Sequence, residues 1–378
     1  MVYLDNSATS FPKPKQVYFA YKNALRSFYS NPGRGGYENA LKTAEKIYEI
    51  RERAAAFFGT DKSENVVFTG NCTQAINMVL KGFLQPGDHV LISDLEHNAV
   101  VRPLEGLRRK GKIKYDIFET DIYDDEKTMQ SVHEKLRPET KLLFCTHASN
   151  VLGVVLPLEK IGAFCKKHGI AFAVDAAQSG GILPLDMRAY HIDYLCLAPH
   201  KGLFAPMGTG LFIGEGERLA PYTEGGTGSA SLDLAQPRFM PDKFESGTLN
   251  VSGIIALGAG IEYIDRVGLR HIYEKDRLLL SYLCEQLKAM RGIELYTDVA
   301  KLSQSAPVFS FNLKGKESEA VAEHLAEKGI CVRAGLHCAP LAHRKIGTAQ
   351  RGTVRISPSF FTTESDINYA IDTIKNML

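Results

Sequence analysis

Ile170-Ala171-Phe172-Ala173-Val174-Asp175 is an unbroken apolar run that stops at an acid. Apolar residues on both alternating sides predict a strand buried on both faces, as in a mainly parallel sheet covered by helices. Ligands of such sheets collect beyond the carboxyl ends of the strands, which makes Asp175 a candidate site residue. A bare buried carboxylate would be expensive, so this acid needs a partner. Outward from it the pattern repeats. Strands are predicted at Val66-Val67-Phe68, His89 to Ser93, Lys114 to Glu119, Lys141 to Thr146, Tyr194 to Leu197 and Gly210 to Ile213, with helical segments between most of them. An amphipathic helix from Glu38 to Phe58, closing at Gly59, precedes the first.

Two other strand ends carry chemistry. The turn Thr69-Gly70-Asn71-Cys72-Thr73 ends one strand and opens a helix from Gln74 to Lys81, where free amides form an anion site. In Cys196-Leu197-Ala198-Pro199-His200-Lys201-Gly202, an apolar strand is followed by a histidine and a lysine. Singly, each feature has an ordinary structural explanation. Together and in this order, they form a kit for pyridoxal phosphate: a phosphate cradle, a pyridinium partner and a Schiff-base amine.

Beyond about residue 252 the pattern changes. Helices from about Ser252 to Val267 and Lys275 to Met290 precede short strands near 293–297, 307–313, 330–334 and 353–357, with helices Glu317 to Lys328 and Glu364 to Met377. Thr363 is the expected N-cap of the last. Two lobes are predicted, as the length of 378 residues also suggests: a large cofactor-binding domain over 14–258 and a smaller α+β domain over 259–378, with segment 1–13 packing against the latter. Gly214 to Gly247 lacks periodicity and reads as a long functional loop.

Composition narrows the function classes. With 44% hydrophobic and 23% charged residues the chain reads as globular, and a net charge of +2 gives no reason to expect a nucleic-acid or membrane partner. No apolar run approaches the ~20 residues of a membrane span, and Asp5 interrupts any signal-like start, so a cytoplasmic protein is expected. Seven cysteines without a C-x-x-C pair argue for reduced thiols, with Cys145 and Cys196 as small buried hydrophobes. Gly106 to Lys112 has the spacing of a nucleotide P-loop, but Ile113 replaces the required hydroxyl and a strand follows instead of preceding it. No G-x-G-x-x-G follows the first strand, and His337, Cys338 and His343 match no zinc spacing, so no metal is expected.

Several ordered segments carry a resemblance. They include Tyr3-Leu4-Asp5-Asn6-Ser7-Ala8-Thr9, Asn31-Pro32-Gly33-Arg34-Gly35, Glu96-His97-Asn98-Ala99-Val100, Ser149-Asn150-Val151-Leu152-Gly153 and Val174-Asp175-Ala176-Ala177-Gln178. Downstream stand His200-Lys201-Gly202, Gly208-Thr209-Gly210, Phe244-Glu245-Ser246-Gly247-Thr248-Leu249-Asn250, Arg333-Ala334-Gly335-Leu336-His337-Cys338-Ala339 and Val354-Arg355-Ile356-Ser357. Over nearly its whole length the sequence resembles the class V aminotransferase group of fold-type I pyridoxal phosphate enzymes, and within it the cysteine desulfurase and selenocysteine lyase family. The fold implied is an α/β large domain with a mainly parallel seven-stranded sheet plus a smaller C-terminal domain.

The resemblance implies that Lys201 carries the cofactor, Asp175 holds its ring nitrogen protonated and His97 stacks on the ring. Gln178 and Asn150 would reach the phenolic oxygen. Thr73, the Cys72 amide and His200 would hold the phosphate, with Thr248 donated across a homodimer interface. Arg355 would clamp the substrate carboxylate, a task suited to a guanidinium fork, with Ala8, Arg34 and Asn150 also on the substrate side. Cys338 would attack the substrate sulfur, turning L-cysteine into L-alanine and holding a persulfide for an acceptor protein. Its segment, between Gly335 and Gly352, reads as a mobile loop in which His337, Arg344 and Lys345 could favour the thiolate.

Four positions depart from the family pattern: Asn98, Ala198, Pro199 and Leu336. The short Cys338–Arg355 interval resembles a subgroup with a restrained cysteine loop, which implies slow turnover without an acceptor. Alternatives are a selenocysteine lyase, a pyridoxal phosphate aminotransferase or epimerase in which Cys338 is incidental, and a binding protein that keeps the fold without the chemistry.

Overall fold

The computed structural model describes residues 1–33 and 35–378. In chain order the first elements are β1 (Val2–Tyr3), α1 (Lys15–Ser27), α2 (Glu38–Phe57), β2 (Val66–Thr69), α3 (Cys72–Phe83), β3 (His89–Ser93) and α4 (Asn98–Arg109). Then come β4 (Lys114–Phe118), α5 (Asp125–Glu134), β5 (Thr140–Thr146), α6 (Leu158–His168), β6 (Ala171–Asp175), β7 (Tyr194–Leu197) and β8 (Gly210–Gly214). Strands β2 to β8 form one seven-stranded sheet in the order β2-β8-β7-β6-β5-β3-β4. Its pairings are parallel except those of β8, which runs antiparallel to both β2 and β7.

The decisive apolar run behaves as its pattern predicts. In β6, Phe172 and Val174 join one buried cluster and Ala171 and Ala173 join the cluster on the opposite face. Leu195 and Leu197 of β7 likewise pack on one face, with Tyr194 and Cys196 on the other. Period-two alternation with both faces covered is why no polar residue is tolerated until the strand ends. Each large side chain so buried contributes about 1.5–3 kcal/mol.

The remaining elements are α7 (Val251–Val267), α8 (Leu269–Lys288), β9 (Ile293–Leu295), β10 (Phe309–Leu313), α9 (Ser318–Glu327), β11 (Ile330–Cys331), β12 (Arg333–Gly335), α10 (Pro340–Lys345), β13 (Thr353–Ile356) and α11 (Glu364–Lys375). An antiparallel sheet, β12-β13-β10-β9, carries its own apolar cluster around Phe309, Phe311, Val354 and Ile356. Residue 258 lies inside α7. The Thr363–Asp366 capping box forms at the start of α11. Residues 215–250 contain neither helix nor strand.

Three elements differ from the sequence reading. Helix α1 was not expected, because its apolar residues are spread around the helix: Val17 and Ala24 are buried while Tyr18, Phe19 and Leu25 are exposed, so no single stripe can be read. Helix α8 starts at Leu269, six positions before Lys275, because one Gly268 ends α7 and starts α8 without a side-chain cap. Within the segment read as a mobile loop, Pro340 starts the short helix α10.

The N-terminal segment links the two sheets. Strand β1 pairs in parallel with β11, Asp5 bridges to Ser357, and the chain then reaches the turn after β7, where the backbone N–H of Ser10 donates to the His200 carbonyl at 3.1 Å.

Candidate active site

Helix α3 begins with Asn71, whose side chain accepts from the Gln74 amide at 2.9 Å. The Cys72 and Thr73 amides, like those of any helix start, lack intrahelical acceptors. A Cβ on Gly210 would collide with the Asn71 backbone, so only glycine lets β8 approach this turn. Cys72, Thr73 and His200 line one cavity of about 230 Å³. His200 Nδ1 is buried and has no partner among the described residues. Burial, helped by Lys201 and Lys13, pushes this imidazole down to about 4, so it is neutral. Open amides at a helix start beside an orphaned imidazole nitrogen fit a phosphate group.

Asp175 closes β6 and lines the same cavity. Its Oδ1 accepts from the Ala177 amide at 2.9 Å and from Cys72 Sγ at 3.6 Å. Burial first, then Asp175, pushes the Cys72 thiol far up, so it stays protonated and donates. Lys201 also lines this cavity, on a turn in which its amide donates to Ala198 O and its carbonyl accepts from the Phe204 amide, both at 3.0 Å. Burial pulls the Lys201 ammonium below the usual range and Asp175 opposes it. A lysine shifted this way suits the activated amine that Schiff-base chemistry needs, and Asp175 would supply a counter-charge for a ring nitrogen. Cradle, carboxylate and amine face one chamber, and the residues present therefore fit pyridoxal phosphate.

His97 is the N-cap of α4; its Nδ1 accepts from the Ala99 amide at 3.0 Å, which puts the proton of the neutral ring on Nε2. Burial lowers its pKa, with Asp175 pulling the other way. Its neighbour Glu96, quoted in a motif but assigned no role, is fully buried. Glu96 Oε1 accepts from the Thr146 amide at 2.8 Å and from the Ser93 hydroxyl, while Oε2 has no partner. Burial pushes this carboxyl up to about 8. A raised folded-state value means that the folded protein holds a proton that the unfolded chain releases, so this contribution to stability is lost as pH rises from about 4.5 to about 8. Glu96→Gln, which mimics the protonated form, is expected to match the wild type in urea unfolding near pH 4.5. Above pH 8 it should exceed it, by at most about 5 kcal/mol. Parallel pH profiles for the two proteins would contradict this.

Strands β12 and β13, with the residues after β12, supply another part of the wall. Arg355 on β13 is 1% exposed; its Nη2 donates to Asp5 Oδ1 at 2.7 Å and its Nη1 to Asn150 O at 3.1 Å, while Nε is unpartnered. Ala8, Asn150, Gln178, Arg333, His337 and Cys338 share the cavity with it. Asn150 Nδ2 donates to His337 O at 2.7 Å and Gln178 Nε2 to Ser7 O at 3.1 Å, which leaves each amide one further N–H. Arg333 opens a quoted motif yet was given no role; a basic residue five positions before the cysteine was the available signal. Thr248 does not line the cavity; it is exposed, with Asn31 Nδ2 at 3.5 Å from its hydroxyl. Arg34 lies outside the described residues.

Cys338 is exposed and lies at a junction, lining both this cavity and an outer groove of about 460 Å³ between α3 and α4. Its carbonyl accepts from the Asn98 amide at 2.7 Å. Both His337 and Cys338 adopt positive φ, 49° and 57°, a conformation that costs a non-glycine residue of order 1–3 kcal/mol and clusters at functional sites. The expectation that His337 and Lys345 assist the thiolate is corrected. Burial pushes His337 down to about 2, leaving it uncharged, and Lys345 is engaged by Asp94 at 2.7 Å.

Among the described residues no helix is long and apolar enough to cross a membrane, and no group of three or more metal-ligating side chains occurs. Comparison with known proteins then places the architecture. A probable cysteine desulfurase of Methanothermobacter thermautotrophicus is 34% identical over all of this chain and 94% of its own length. The apo structure of a cysteine desulfurase from Thermococcus onnurineus superposes with a TM-score of 0.92 at 31% identity, covering 100% of this chain and 94% of that one. The cysteine desulfurase CsdA of Escherichia coli, solved as an S-sulfonic acid, gives 0.88 at 26% identity over 99% and 94%. Residues 2–369 match the aminotransferase class-V family as one continuous unit, and it is to this family that the chain belongs.

Proposed function

We propose that the chain is a pyridoxal phosphate-dependent cysteine desulfurase that converts L-cysteine to L-alanine and carries the sulfur as a persulfide on Cys338. The observation that carries this reading is the position of Cys338, whose thiol opens on the same chamber as Lys201 and Asp175 and also on the outside. Full-length relatives that bear the name cysteine desulfurase support it.

The bound coenzyme supplies an electron sink next to the substrate Cα. The chain's own residues do the rest. Arg355, held by Asp5, presents its guanidinium to the substrate carboxylate. Lys201 Nζ, favoured as a neutral amine by burial, takes the Cα proton. His97, neutral with Nε2–H, would cover the ring. The Cys338 thiolate then attacks the substrate sulfur: an S–S bond forms, the Cβ–S bond breaks, and its electron pair stays with the carbon fragment, which takes up protons and leaves as alanine.

A homodimer belongs to this reading. Thr248 stands outside its own chamber, and Leu232 and Leu234 of the irregular 215–250 segment are fully exposed, a surface suited to cover by a second copy. Thr248 would then serve the partner's phosphate site. An acceptor protein would take the sulfur from the outer face of Cys338.

Incubating the protein with L-cysteine, alkylating and digesting it tests the proposal. Alanine release together with a trapped persulfide on Cys338 is expected. Alanine without any adduct at that residue, or no alanine at all, would overturn it.

A further inference from the structure

The carbonyl oxygen of His200, in the peptide joining it to Lys201, is crowded. Four donors converge on it: the Ser10 amide at 3.1 Å, the Thr9 hydroxyl at 3.1 Å, the Ser10 hydroxyl at 3.2 Å and Lys13 Nζ at 3.2 Å. A carbonyl oxygen has two lone pairs, so the four must share it. Three are neutral and the fourth is a cation. Lys13 Nζ also donates to Ser10 O at 3.1 Å and Ser10 Oγ at 3.0 Å, which uses all three of its N–H groups. No carboxylate among the described residues pairs with it. A half-buried ammonium spent on backbone carbonyls is an uncommon use of a lysine, and burial pulls it down to about 8. Its bonds are charge-assisted and about twice as strong as those of the neutral donors.

The surroundings show what is being held. A Cβ on Gly202 would strike Gly180 O, and one on Gly181 would strike Gly202 O at 2.6 Å, so the turn bearing Lys201 rests against backbone on one side. The N-terminal segment closes the other side. That same segment holds Arg355 through Asp5, eight residues before Lys13.

The geometry points to Lys13 as a positioning residue for the proposed reaction: it clamps the His200–Lys201 peptide and so sets the arc on which Lys201 Nζ reaches the substrate proton. The inference rests on the role given to Lys201 above. Without Lys13 the carbonyl keeps only neutral donors, and a peptide loosened enough to displace Nζ by about 1 Å costs on the order of 10²-fold in rate.

Lys13→Met keeps the length of the side chain and removes its donors. Its kcat for L-cysteine is expected to fall by about 10- to 100-fold with KM within about twofold, because the loss is one of positioning and not of substrate binding. Amide hydrogen exchange in residues 198–205 of the full chain, with or without added pyridoxal phosphate, should speed up, and Lys13→Arg should recover most of the rate. Thr9→Val removes one neutral donor and touches no acceptor of Lys13, so it should leave both exchange and kcat near wild type, and it decides the matter if Lys13→Met fails to fold. The inference is overturned by unchanged exchange at 198–205 in Lys13→Met, or by a Thr9→Val variant as loosened as the lysine variant is expected to be. A wild type inactive on L-cysteine defeats the proposed function, while the exchange comparison still decides the role of Lys13.

Discussion

Lys201→Ala is expected to lower kcat for L-cysteine by at least about 10³-fold, because in the proposed reaction one nitrogen would serve as both the attachment point and the base. The chamber offers no substitute. His200 and His97 are neutral, and Asp175 is occupied by the Ala177 amide and the Cys72 thiol. Borohydride reduction followed by mass analysis gives an independent check. It should fix the coenzyme to the wild-type chain at Lys201 and leave the variant unlabelled, although the proposed phosphate cradle, which Lys201 does not build, should still bind the coenzyme. Covalent labelling of the variant at another lysine would refute the assignment.

Cys338→Ala separates desulfuration from the other reactions of the fold. Sulfur release from L-cysteine should drop by at least about 10²-fold, the low end of what removal of a catalytic group produces. Coenzyme binding and thermal stability should hardly change, since the thiol is exposed and anchors nothing: the loop is held through backbone oxygens, His337 O by Asn150 and Cys338 O by Asn98. Alanine formation at the wild-type rate in the variant would mean that the cysteine is incidental and that the enzyme is of another reaction type.

How much of this could be read from the sequence differs by element. The seven strands of the large sheet were legible because two-sided burial leaves uninterrupted apolar runs, and each run ended within a residue or two of its predicted limit, as with Ala171–Asp175. Helix α1 was not, since part of its apolar surface is exposed and breaks the stripe. The strand-end residues Asp175 and Lys201 stood out by position alone. Charge states did not, because they depend on enclosure: His337 looks like a helper of the thiolate in sequence and is an uncharged, buried ring in space. Glu96 was invisible as a proton-holding carboxyl for the same reason, and Lys13 lies 188 positions from the lysine whose peptide it holds.

Because Cys338 lines both the inner cavity and the outer groove, the two products of the proposed reaction would have separate ways out. Amino-acid carbon would depart by the inner doorway and sulfur would be handed on through the outer one, so neither departure blocks the other. Kinetically that is a relay with independent gates: an acceptor can engage before alanine has gone, and its affinity can evolve without disturbing the fit of the substrate.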